Sequence, residues 1–181
     1  MGNLKNKMLL DAIRDLVFAS KKRAVKKVNA ELIRMNWEIG RLIIDYEQKG
    51  EERAAYGEEV LQQISNQLTL EFGKGFDYSN LTNMRKFFLT FPNVDALRQE
   101  LSWTHFRLLS RVEKETDRHK YMHLAADEDW NTRYLERNIR SGYLGRMLET
   151  PEEKSKLSPR TFVKDPYIFE FLGLGKDEKH L

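Results

Sequence analysis

Cysteine is absent from the 181 residues. Disulfides, thiolate nucleophiles and cysteine-held zinc are therefore excluded, and a reducing cytoplasm is the expected compartment. Proline is scarce, with 4 residues, and glycine numbers 10. Runs of β-branched residues are nearly missing, so little in the chain favours a sheet. No apolar run approaches the length a membrane span needs, and the N-terminus has no signal-peptide apolar core. No strong charge bias exists either: 31 Lys and Arg stand against 28 Asp and Glu, a formal net charge of +3. A polycationic tail is thereby ruled out.

What remains is helix-forming sequence with 40% hydrophobic residues, enough for a helical core. The expected fold class is all-α, a helical bundle with helix-turn-helix, winged-helix-like character. Residues 1–50 read as a long helix or helix pair, and residues 51–148 as a helical domain packed with it. From Val25 the apolar positions Val28, Leu32, Met35, Ile39, Leu42 and Tyr46 recur at alternating steps of three and four. That is a heptad seam, able to join two chains or to form the spine of one bundle. Trp37 and Ile43 widen the stripe, which favours packing within the domain. The oligomerisation alternative, a homodimer, rests on Val25, Val28, Leu32, Met35, Ile39 and Leu42.

Two helix-turn-helix patterns follow. The first runs over residues 57–72, a turn at Phe72-Gly73-Lys74-Gly75-Phe76, and residues 79–91. Gly73 is placed to end its first helix, and Ser79 to cap its second. Leu61, Ile64, Leu68 and Phe72 would face inward, as would Leu81, Met84, Phe88 and Phe91. The second pattern runs over residues 117–126, an acidic turn at Asp127-Glu128-Asp129, and residues 131–142, with Asn131 as cap. Such paired short helices are what proteins offer to a DNA groove.

Charge is local rather than global. Residues 21–34 carry six basic side chains against Glu31, and residues 45–59 are net acidic. Arg133, Arg137 and Arg140 fall at i, i+4 and i+7, opposite Leu135 and Ile139. Arginine forks suit phosphates and guanine edges, so this stripe is the first candidate for DNA contact. Asn83 and Lys86 form a second candidate face, and Lys26 and Lys27 extend the footprint. A solvated helix face gives the same letters.

The motifs Asn36-Trp37-Glu38-Ile39-Gly40, Ala55-Tyr56-Gly57, Phe72-Gly73-Lys74-Gly75-Phe76, Asn80-Leu81-x-x-Met84-Arg85, Leu101-Ser102-Trp103-Thr104-His105 and Trp130-x-x-Arg133-x-Leu135-Glu136-Arg137 recur here in order. Together they resemble the N-terminal domain of the YhcG family over about residues 9–147. The resemblance implies a DNA-binding helical region that delivers a C-terminal nuclease domain of the PD-(D/E)xK type, which would carry a divalent metal. Residues 149–163, with Pro151 and Pro159, read as a linker. Residues 164–181, with Asp165-Pro166 opening a short apolar helix, are expected to be the start of a nuclease domain otherwise missing from this sequence. No nuclease residue is carried over: Glu152-Glu153-Lys154 and Asp177-Glu178-Lys179 sit in charged stretches without strand character.

Other chemistries fare worse. His119 and His123 are four apart, but the following glutamate of a zinc-protease motif is lacking. His105 is expected to pack or cap. Gly73-Lys74-Gly75 lacks the preceding strand of a phosphate loop. The expected protein is thus not itself an enzyme, with no cofactor or metal in this chain. Its expected partner is duplex DNA, with no membrane and no small-molecule substrate. The rival reading is a protein-interaction module without DNA contact.

Overall fold

The structure is a computed structural model that describes residues 2–48 and 54–149, with side-chain surroundings over residues 6–48 and 58–146. The described residues form seven helices in order: α1 (Gly2–Gln48), α2 (Ala54–Phe72), α3 (Tyr78–Thr90), α4 (Trp103–Leu109), α5 (Glu115–Asp127), α6 (Thr132–Arg140) and α7 (Tyr143–Glu149). Single 3-10 turns occupy Lys74–Phe76 and Val94–Ala96. The described residues contain no strand, so no wing accompanies the helices there. The expected linker beyond Glu149, and the apolar segment after it, lie outside the described residues.

The core forms where the second half of α1 lies against α3. Leu32, Ile33, Leu81, Met84, Phe87 and Phe91 are buried, joined from beyond by Trp103, Phe106, Leu109, Trp130 and Leu135. Gly40 makes this closeness possible. A methyl group on it would sit 2.2 Å from the Met84 carbonyl oxygen, so the two backbones touch where any side chain would intrude. A glycine inside a helix costs about 1 kcal/mol relative to alanine, and the contact is what that cost permits.

Polar side chains fix the angles between helices. Asn80 is the centre of one set: its backbone N–H is capped by Asp77 Oδ1 at 2.7 Å. Its amide donates to the Gly75 carbonyl and accepts the Trp103 indole N–H at 3.1 Å. The glycine-rich turn, the start of α3 and the start of α4 are thereby tied together. Asp77, not Ser79, is the cap of α3, because only its carboxylate reaches the third amide. Arg118 performs a comparable task at helix ends, donating to the Thr90, Val112 and Glu113 carbonyls at 3.1–3.2 Å. The Thr90 carbonyl ends α3 and the other two follow α4, places where cations are favoured.

Several expected inward positions differ. Phe87 is fully buried, whereas Phe88 is half-buried and packs edge-on against Trp37 at 4.9 Å. Ile64 and Phe72 are exposed, because α2 is covered on one side only. α5 begins at Glu115, ahead of the start at Asp117 expected for it. Gly73 has φ 102 and ψ −175, a glycine conformation outside the left-handed helical well. Of the heptad seam, Leu32 is buried, Val25, Val28, Met35 and Ile39 pack on this chain's own core, and Leu42 is 58% exposed.

Candidate nucleic-acid interface

α6 owes its placement to the turn before it. Trp130 is fully buried, its indole N–H donating to Glu128 at 2.9 Å and its backbone N–H to the Ala125 carbonyl. The preceding residue, Asp129, takes a positive φ of 53, a conformation aspartate tolerates better than most side chains. The Trp130 carbonyl accepts His105 Nε2 at 3.0 Å, while His105 Nδ1 accepts the Ser102 backbone N–H at 3.2 Å. Those two bonds require the neutral tautomer protonated on Nε2. His105 therefore caps α4 and holds the turn in front of α6, a structural task. Asn131 then caps α6, accepting the Tyr134 N–H at 2.9 Å.

Leu135 and Asn138 point inward from α6, and Arg133, Arg137 and Arg140 point out. The three arginines, with Glu136 and Ser141, line an open hollow of about 440 Å³. Arg137 lies over the Tyr134 ring at 4.7 Å, which restrains its guanidinium without neutralising it. Arg140 pairs with Glu136 at 3.0 Å, but at 78% exposure that pair is weak and exchangeable. Arg133 forms no ion pair among the described residues. The helix ends at Arg140, and Gly142, with φ 64, turns the chain into α7.

The remaining candidates stand on other helices. Lys86 is exposed on α3. Asn83 beside it is half-buried, and its amide donates back to the Ser79 carbonyl at 2.8 Å, so it already has a partner. Lys27 is exposed on α1. Lys26 is paired with Glu100 at 3.2 Å and joins α1 to the segment before α4. Burial alone would raise the Glu100 carboxyl, but its backbone hydrogen bond and Lys26 outweigh that and hold it below the usual carboxylate range. Of the seven sequence candidates, the structure gathers the three arginines into one surface. His119 and His123 are both exposed, and no cluster of three metal-ligating side chains occurs among the described residues.

Tyr121 secures the far end of α6. Its hydroxyl donates to the Asn138 carbonyl at 3.1 Å and lies 3.5 Å from the Leu144 amide. Nothing in the periodicity of α5 marks this hydroxyl, since Tyr121 reads there simply as an apolar anchor. Burial pushes its phenol above the usual value. A raised folded-state value means that the fold favours the neutral phenol. This stability is present below the unfolded value of about 10 and is lost as pH rises through the folded one. The protein should thus lose stability in alkali above that point, measured as a falling denaturation midpoint. Tyr121→Phe should flatten that fall while costing about 1 kcal/mol at neutral pH.

The described residues thus define an all-helical domain with a basic face on α6 and no helix long and apolar enough to cross a membrane. Residues 12–146 match the DUF1016 N-terminal domain. The chain is also 31% identical over 211 aligned positions to "Putative nuclease YhcG" of Escherichia coli (strain K12), covering 93% of this chain and 56% of that protein. It belongs to the DUF1016 N-terminal domain family, the N-terminal part of YhcG-type proteins. The chain spans little more than half the length of that curated relative. No solved structure matches it.

Proposed function

We propose that this domain binds duplex DNA through the outer face of α6, with helix-turn-helix character in the α5–α6 pair, and delivers a PD-(D/E)xK nuclease domain to its substrate in the cytoplasm. The observation that carries this reading is the arginine face of α6. Arg133, Arg137 and Arg140 stand exposed on a helix whose other side is locked by Leu135, Asn131 and Tyr121. Rigid presentation keeps low the ordering cost of arginine–phosphate contacts. The similarity to "Putative nuclease YhcG" supports nucleic acid as the ligand class. Lys86 and Lys27 add further positive charge from α3 and α1.

Fluorescence anisotropy of a labelled 30-mer duplex tests the reading. Replacing Arg133, Arg137 and Arg140 together with alanine should weaken binding on the order of tenfold or more at low salt. Circular dichroism should stay unchanged, because all three side chains are exposed. Equal affinity in the variant would reject α6 as the site. A protein-interaction role is the second reading, favoured by the exposed apolar residues Leu9, Ile13 and Leu16 of α1.

A further inference from the structure

Two apolar surfaces have no cover among the described residues. The first is the leading part of α1, where every described side chain from 6 to 24 is exposed. Leu9, Ile13 and Leu16 are 62%, 49% and 64% exposed there. The second is a groove of about 350 Å³ between the end of α1 and α2, almost wholly apolar, lined among others by Ile39, Leu42, Tyr46 and Ile64. Leu42, Tyr46 and Ile64 are themselves exposed.

We propose that two copies of this chain associate antiparallel along α1, the leading segment of each lying in the α1–α2 groove of the other. The chain's own leading segment cannot reach its own groove, because Ile13 and Leu42 lie about 44 Å apart along one continuous helix. The spacing agrees in register. With Ile13 facing Leu42 of the other copy, Leu9 faces Tyr46 and Leu16 faces Ile39, since both sets step by four and then three in opposite directions. Charge agrees as well. The leading segment carries Lys7, Arg14, Lys21, Lys22 and Arg23 against Asp11 and Asp15. By contrast, α2 carries Glu58, Glu59 and Glu71 and no lysine or arginine.

Two-fold symmetry makes the segment–groove contact twice, as a closed isologous dimer requires. The paired helices overlap from Leu9 to Tyr46, about 55 Å, which is long enough to reach the roughly 800 Å² per partner of a stable interface. This arrangement uses only the end of the heptad seam, at Ile39 and Leu42, and leaves its Val25–Met35 part to the chain's own core. It does not depend on DNA binding.

The lack of native cysteine makes the test clean. Under mild oxidation the double variant Ile13→Cys/Leu42→Cys should form a covalent dimer on a non-reducing gel, whereas Ile13→Cys alone and Leu42→Cys alone should not. Light scattering of the unmodified 181-residue chain should give the dimer mass, and Leu16→Glu should shift it to the monomer mass with unchanged circular dichroism. Efficient cross-linking of Ile13→Cys to itself would show the segments paired with each other and overturn the antiparallel arrangement. A monomer mass for the unmodified chain throughout the micromolar range would overturn self-association altogether.

Discussion

Gly40→Ala should destabilise the protein by about 3–4 kcal/mol, although helix propensity alone predicts a gain of about 1 kcal/mol. The added Cβ would stand 2.2 Å from the Met84 carbonyl oxygen, 2.8 Å from the carbonyl carbon and 2.9 Å from Phe88 Cβ. Two of those atoms are backbone inside α3, so no side chain can swing aside. Relief requires α1 and α3 to separate, which loosens Leu32, Leu81, Met84 and Phe87 together. Denaturant unfolding followed by circular dichroism reads the outcome directly. A variant as stable as the parent would mean that the two helices do not meet at Gly40.

Trp103→Ala should cost still more, about 4–5 kcal/mol out of the roughly 5–15 kcal/mol that holds a domain folded. The indole is fully buried and meets Phe87 edge-on at 5.2 Å. Its N–H satisfies Asn80 Oδ1, which also organises the turn through Gly75. Truncation therefore leaves both a cavity and an unpaired amide oxygen. Trp103→Phe separates the two effects: it fills most of the space but still strands the oxygen, for an expected loss of about 2 kcal/mol. Expression of the alanine variant as a partly unfolded species, with the phenylalanine variant intact but weakened, is the expected pattern. Parity of both variants with the parent would remove Trp103 from the core.

How far the sequence discloses this structure depends on the range of the interaction. Local signals carried through: Asn131 caps α6, and Leu81, Met84 and Leu135 are buried where the helical period puts them. Choices between adjacent residues did not. Phe87 and Phe88 differ by about 100° around the helix, and which one enters the core depends on α4, which brings Phe106 to 5.3 Å from Phe87. Long-range pairs were illegible for the same reason. The partners Lys26 and Glu100 are 74 residues apart, and Arg85 and Glu47 are 38 apart. Lys26 therefore read as a free cation when it is a tie between segments. The arginine face of α6 was legible because it needs one helix and one period. The exposed leading half of α1 was not, since its apolar residues look like core in the sequence, yet no other described residue packs on them.

The most direct test of the DNA-binding account is the salt dependence of duplex binding, compared between the parent and the Arg133→Ala/Arg137→Ala/Arg140→Ala variant. Each phosphate contact contributes about 0.9 to the slope of log affinity against log salt. The account predicts a slope shallower by about 2–3 in the variant, together with the loss of affinity at low salt. Coincident lines for the two proteins would contradict it, leaving α6 a solvated face and the nucleic-acid contact, if one exists, elsewhere on the chain.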